Sequence, residues 1–166
     1  VQRAGTRGRT SARSDDPVRL VREHLMIDPR GQRFAATVTT VVLALVLLTG
    51  SVWLLAAQAG AFAVGAVAGV AASPYGRFYA RAIRPRLRPP DEYEDARPPR
   101  FAQGVGLIFA MIGLAGLVAG WTVLGYLAVG AALGAAFLNA AFGICLGCEI
   151  YLAYRRTLPR LTEVSR

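Results

Sequence analysis

FAATVTTVVLALVLLTGSVWLLAAQAGAFAVGAVAGVAASPYG (34–76) contains no Asp, Glu, Lys, Arg or His. A second stretch, FAQGVGLIFAMIGLAGLVAGWTVLGYLAVGAALGAAFLNAAFGICLGC (101–148), repeats the feature. A bilayer crossing takes about 20 apolar residues at 1.5 Å rise each. Each stretch is too long for one crossing and suits two. A soluble helix would show a polar face, whereas residues 37–57 are apolar all round apart from small hydroxyls. The expected fold is therefore an all-α membrane protein of four transmembrane helices, arranged as two duplicated helical hairpins.

Charge fixes the expected orientation. All 19 basic residues are Arg, and the net charge is +9. Residues 1–33, 77–100 and 149–166 carry +4, +3 and +2 of it. The presumed hairpin tips, Gln58-Ala59-Gly60 and Gly120-Trp121-Thr122, carry none. Basic residues collect in short cytoplasmic loops, so both termini and the central loop are expected in the cytoplasm, N-in and C-in. The arginines flank spans and no recognition module is visible, so nucleic acid is not an expected partner. The lipid bilayer and its anionic headgroups are. The run before Ala57-Gln58-Ala59 is too long and too far from the start for a signal peptide, so it reads as a retained span.

The expected organisation follows in order along the chain. Residues 1–16 form a disordered basic tail, because they offer almost nothing to bury. Residues 17–28 form an interfacial helix beginning at Pro17, with Val18, Val21 and Leu25 on one side. Residues 29–82 make the first transmembrane hairpin, with spans from about Phe34 to Ala57 and from Gly60 through Ser73 toward Tyr79. Residues 83–99 form a cytoplasmic Pro/Arg-rich loop. Residues 100–156 make the second transmembrane hairpin, with spans near 101–119 and 122–148, and residues 157–166 a cytoplasmic tail. Arg33-Phe34-Ala35 opens the first half and Arg100-Phe101-Ala102 the second, each shortly after a proline and an arginine. A parallel duplication predicts a pseudo-two-fold axis along the membrane normal. GxxxG spacing at Gly65/Gly69, Gly116/Gly120, Gly130/Gly134 and Gly143/Gly147 suggests close helix contacts and is compatible with a homodimer.

The chemistry-bearing motif is GICLGCEIY (143–151), which holds Cys145 and Cys148, the chain's two cysteines. CxxC serves redox dithiols and metal sites alike. On one continuous helix, at about 100° per residue, Cys145, Cys148 and Glu149 share a face, with Arg156 near that line two turns on. At the C-terminal end of a span the helix dipole, Glu149 and burial would all raise the thiol pKa. A partner's thiolate would then be the attacking group. Structural zinc takes four ligands, and the chain offers two Cys and a distant His24, so no metal and no cofactor is expected. His24 reads as an interfacial residue. Asn139 reads as an intramembrane polar group for interhelical hydrogen bonding, or else for a polar pathway. No Ser-His-acid set, phosphate loop or carboxylate pair is present, so the chain is not expected to be an enzyme.

DPRGQRFAA (28–36), EDARPPRFAQ (94–103) and FLNAAFGICLGCEIY (137–151) resemble a bacterial family catalogued only as a domain of unknown function. The resemblance covers roughly residues 27–156 and implies a small four-span membrane protein with a terminal C-x-G-C-E. Members are often encoded beside thioredoxin-like proteins and rhodanese-type sulfurtransferases, which implies sulfur or redox metabolism by association. A weaker likeness is to two-span membrane units of rhodaneses that end in Cys-Pro-aromatic. Ser73-Pro74-Tyr75 takes that place here, so a thiol role falls to the second half. Three functions follow as expectations: a dithiol redox or sulfur-relay partner of thioredoxin-like or sulfurtransferase proteins, a small transporter of a sulfur species, or a non-catalytic anchor recruiting partners.

Overall fold

The computed structural model describes residues 26–88 and 93–163. The expected tail 1–16, most of the interfacial helix including His24, and residues 89–92 of the loop lie outside them. Among the described residues the chain is helical apart from a two-stranded ribbon, with three helices long and apolar enough to cross a membrane.

Strand β1 (Met26–Ile27) pairs antiparallel with β2 (Glu94–Asp95), Ile27 opposite Glu94. Helix α1 (Pro29–Thr49) starts where Asp28 Oδ1 accepts the Arg30 N–H at 2.9 Å, with Pro29 pre-set in the first turn. It stops at Gly50, whose φ of 65° suits glycine, and the Gly50 N–H closes on the Val46 carbonyl. The Ser51 hydroxyl then accepts the Leu54 N–H and starts α2 (Val52–Ala68). The first tip is thus Gly50-Ser51, not Gln58-Ala59-Gly60, which lie inside α2. Hydropathy is nearly flat across this region, so the glycine stop and serine cap set the turn, and a count of about 20 residues misplaces it.

After α2 the chain breaks at Gly69, makes a single turn at Val70–Ala72, and restarts as α3 (Pro74–Phe78). The Ser73 Oγ accepts the Gly76 N–H at 3.1 Å. A wide turn at Tyr79–Ile83 and a tight one at Arg84–Arg86 continue α3. Helix α4 (Arg97–Val118) and α5 (Thr122–Phe142) turn at Gly120, as expected. The expected fourth span through Cys148 ends instead at Phe142. Gly143, at φ 72°, stops α5, and α6 (Leu146–Glu163) begins after the three residues Gly143-Ile144-Cys145.

The four long helices form a ring in which α1 packs on α5, α5 on α4 and α4 on α2, while α1 and α2 touch less. Leu43 and Val46 of α1, Leu55 and Phe62 of α2, Ala110 of α4 and Val129 of α5 meet in the core. Both tips share one end, where the Tyr126 hydroxyl lies against Gly50. At the other end Arg33 donates to the Ala140 carbonyl of α5, and Arg100 to the Ala66 and Val67 carbonyls of α2. Across the interior, Gln58 is 1% exposed; its amide donates to Thr39 Oγ1 and accepts the Tyr75 hydroxyl at 2.7 Å.

Close approach occurs at particular glycines. A Cβ at Gly116 would lie 2.8 Å from the Gly125 backbone nitrogen, whereas Gly130 and Gly134 have nothing within 4 Å. The α4–α5 crossing therefore uses Gly116 with Gly125, not the GxxxG pairs as such. Gly116→Val should cost about 1–3 kcal/mol through overpacking, with Gly130→Val near neutral, measured as unfolding in detergent. Equal losses would contradict this packing.

Candidate functional site

The break at Gly143 decides the environment of the cysteines. Cys145 sits just before α6 and Cys148 in its first turn, with the Glu149 N–H bonded to the Cys145 carbonyl at 3.0 Å. Unpaired N–H groups and the positive end of the dipole gather at a helix start. The expected setting at the C-terminal end of a span is thereby reversed. Cys145 is lowered to about 7, first by the hydrogen bond from the Cys148 thiol, against burial, and further by the N–H groups of Cys148 and Gly147. Cys148 is pushed up, because it keeps its proton to bond Cys145 and because burial and the neighbouring thiolate oppose its charge. A proton kept on Cys148 and shared toward Cys145 leaves Cys145 the more acidic thiol and Cys148 the more reluctant one.

Three neighbours hold the pair. Gln32 of α1 donates from Nε2 to Cys148 Sγ at 3.6 Å, linking the first half of the chain to the thiols of the second. Its Oε1 is buried without a hydrogen-bond partner. A Cβ on Gly147 would sit 2.6 Å from the Cβ of Ala102, so α6 lies directly on the start of α4. The glycine between the two cysteines is there for this contact. The Phe101 and Tyr151 rings meet at a tilt with centroids 5.7 Å apart, joining the same two helices.

The other expected site residues are not gathered here. Glu149 is exposed on α6, as is Arg156, which stands about 12 Å beyond Cys148 along the axis at 1.5 Å per residue. Because Cys145 precedes α6, one helical wheel does not describe the set. Asn139 lies half-buried in the last turn of α5, where its carbonyl accepts the Gly143 N–H, and not deep within a span. Among the described residues no three of His, Cys, Asp and Glu converge as metal ligands. Sequence reasoning missed Gln32 and Gln58. Gln58 carried a signal as the sole amide side chain within residues 34–76, whereas Gln32 stood among charges and gave none.

The architecture defines an all-helical bundle whose long apolar helices are compatible with membrane insertion. A family model described as Domain of unknown function (DUF4395) matches residues 27–156, and the chain belongs to that family. No curated protein and no solved structure matches it.

Site-resolved alkylation should show Cys145 reacting with a half-maximal rate near pH 7, because its thiolate fraction rises as pH passes the lowered value of about 7. Cys148 should lag across that range. In Cys148→Ala the Cys145 midpoint should climb toward the usual value of about 8.5. Identical profiles for the two cysteines would contradict the assignment.

Proposed function

We propose that this chain is a four-span membrane protein whose Cys145–Cys148 dithiol exchanges disulfide with a cytoplasmic partner. The carrying observation is the placement of CxxC at the start of α6, at the arginine-bearing end of the bundle. Helix α2, with 17 residues, reaches the short limit of a crossing and supplies the fourth span. The charge distribution supports cytoplasmic termini.

A duplicated hairpin accounts for the pattern. Asp28, Arg30, Arg33, Phe34 and Ala35 recur at one constant offset as Asp95, Arg97, Arg100, Phe101 and Ala102. Asp28 caps the Arg30 N–H and Asp95 the Arg97 N–H, each at 2.9 Å. Ile27 pairs with its own counterpart, Glu94, which supports a two-fold axis through the ribbon. Ser73 and Cys145 each precede the helix that restarts after the glycine break of its half, the five-residue α3 and the 18-residue α6, so the thiol stands where the first half uses a capping hydroxyl.

The exchange runs in two steps. The Cys145 thiolate attacks one sulfur of the partner's disulfide; that bond breaks, and one partner sulfur leaves as thiolate and takes a proton. Cys148 loses its proton and attacks Cys145, closing the protein disulfide and releasing the second partner sulfur. The partner gains two electrons and two protons, and the protein dithiol loses both. The family resemblance supports a thioredoxin-like or sulfurtransferase protein as the macromolecular partner.

An oxidised thioredoxin-like protein should accumulate as a mixed disulfide on Cys145 in the Cys148→Ser variant. Trapping in Cys145→Ser should be roughly tenfold lower, since its remaining thiol is the reluctant one. Non-reducing electrophoresis with peptide mapping reads the difference. No mixed disulfide in either variant, or equal trapping in both, would remove the reading.

A further inference from the structure

The two halves of the chain build the same joint with different side chains. In the first, Tyr79 packs on Phe34 with ring centroids 5.9 Å apart; in the second, Tyr151 packs on Phe101 at 5.7 Å. Matching those pairs sets Gly76 against Cys148, just ahead of each tyrosine, and Gln32 against Pro99, just ahead of each phenylalanine. Pro99 is buried and has no N–H, and Gly76 has no side chain. An amide and a thiol thus meet at one joint, and the matching positions of the other carry neither.

The amide is oriented for the sulfur. Gln32 Nε2 donates to Cys148 Sγ at 3.6 Å, while Cys148 directs its own proton to Cys145. The reverse orientation would aim an acceptor oxygen at a sulfur with no proton to give. In the orientation present, Oε1 is buried without a donor. A buried acceptor left unpaired destabilises the fold, and a side chain kept for packing alone would carry no such group.

We infer that Gln32 is the positioning residue of the resolving step: its N–H holds Cys148 and stabilises the negative charge this sulfur takes up when it attacks the mixed disulfide on Cys145. The inference rests on the exchange reading above and assigns control of its second step. Once Cys145 is joined to the partner, it neither carries charge nor draws the Cys148 proton. Glu94 of β2 still opposes ionisation of Cys148, and Glu149 on the same helix is exposed. Asp28 and Asp95 cap α1 and α4, while Arg33 and Arg100 are engaged with the Ala140 and Val67 carbonyls. Among the described residues, the Gln32 N–H is then the side-chain donor left to Cys148. A hydrogen bond to a charged acceptor is stronger than one to a neutral acceptor, so this contact favours thiolate over thiol. Cys148 gives its proton to water, its thiolate bonds Cys145 Sγ, and the partner sulfur leaves as thiolate.

The test follows the reduced chain in detergent with one equivalent of the aromatic disulfide dithiobis(nitrobenzoate). One coloured thiolate is released when Cys145 attacks, and a second when Cys148 resolves. Gln32→Met keeps the length of the side chain and removes the N–H. Its second release should shift to higher pH by about one unit and run about threefold slower at neutral pH, because about tenfold less thiolate is partly offset by greater nucleophilicity. The first release should change by less than about twofold, since Cys148 and the nearby backbone N–H groups outweigh Gln32 at Cys145. Unfolding should be no easier, the unpaired oxygen being gone. Gln32→Glu, of the same shape, should slow the second release further by setting a carboxylate beside the sulfur, and it carries the test if the methionine variant does not fold. An unchanged pH profile of the second release, or both releases slowed by one factor at every pH with easier unfolding, would overturn the role of Gln32 while exchange stands. An unaltered chain that releases no second thiolate would overturn the exchange reading as well.

Discussion

The bundle depends on two guanidinium groups that close helix ends belonging to the opposite half of the chain. Arg33 reaches the last carbonyls of α5, and Arg100 those of α2, at 2.5 Å to Val67. Each helix end offers unpaired carbonyls and the negative pole of its dipole, so a cation there gains about 0.3–1 kcal/mol and a fixed position. Because each arginine also opens its own helix, the contact joins the start of one hairpin to the end of the other. These contacts lie between helices that also share the apolar core, α1 on α5 and α2 on α4. That exchange holds the arginines, the ribbon and both helix breaks at one end of the molecule.

The breaks give this end its chemistry. A single helix from Thr122 through Glu163 would bury the two cysteines in ordinary helix interior. Gly143 in the left-handed region ends α5 first, and the chain restarts with Cys145 facing free N–H groups. Gly147 lets the new helix settle on Ala102, and Gln32 arrives from α1 to hold Cys148. The corresponding break in the first half is capped by the Ser73 hydroxyl and sealed by Gly76, where a Cβ would collide with the Val70 carbonyl. One half is thus a joint capped by a hydroxyl, and the other carries two thiols.

Much of this was legible in the residues. Guanidinium groups are expensive in hydrocarbon, so the distribution of nineteen arginines marked the apolar helices and the shared end before any coordinates. Hydropathy did not mark the turns, because Thr49-Gly50-Ser51 and Phe142-Gly143-Ile144 are as uncharged as their surroundings. Their signals were local: glycine after a helix, then a capping side chain. Placing Cys145 and Cys148 on an unbroken span inverted the expected acidity of Cys145, while Cys148 is raised as expected. Gln32 was invisible for a different reason, since its role depends on a contact between α1 and α6 that no local pattern encodes.

The most direct measurement is the redox equilibrium of Cys145 and Cys148 in this chain, poised in graded thiol–disulfide buffers and read by site-specific thiol labelling. The account predicts a reversible two-electron couple at a potential within the span of dithiol exchange proteins, from about −270 to −120 mV. Cysteines that stay reduced across that whole span, or that oxidise only between separate molecules, would contradict it.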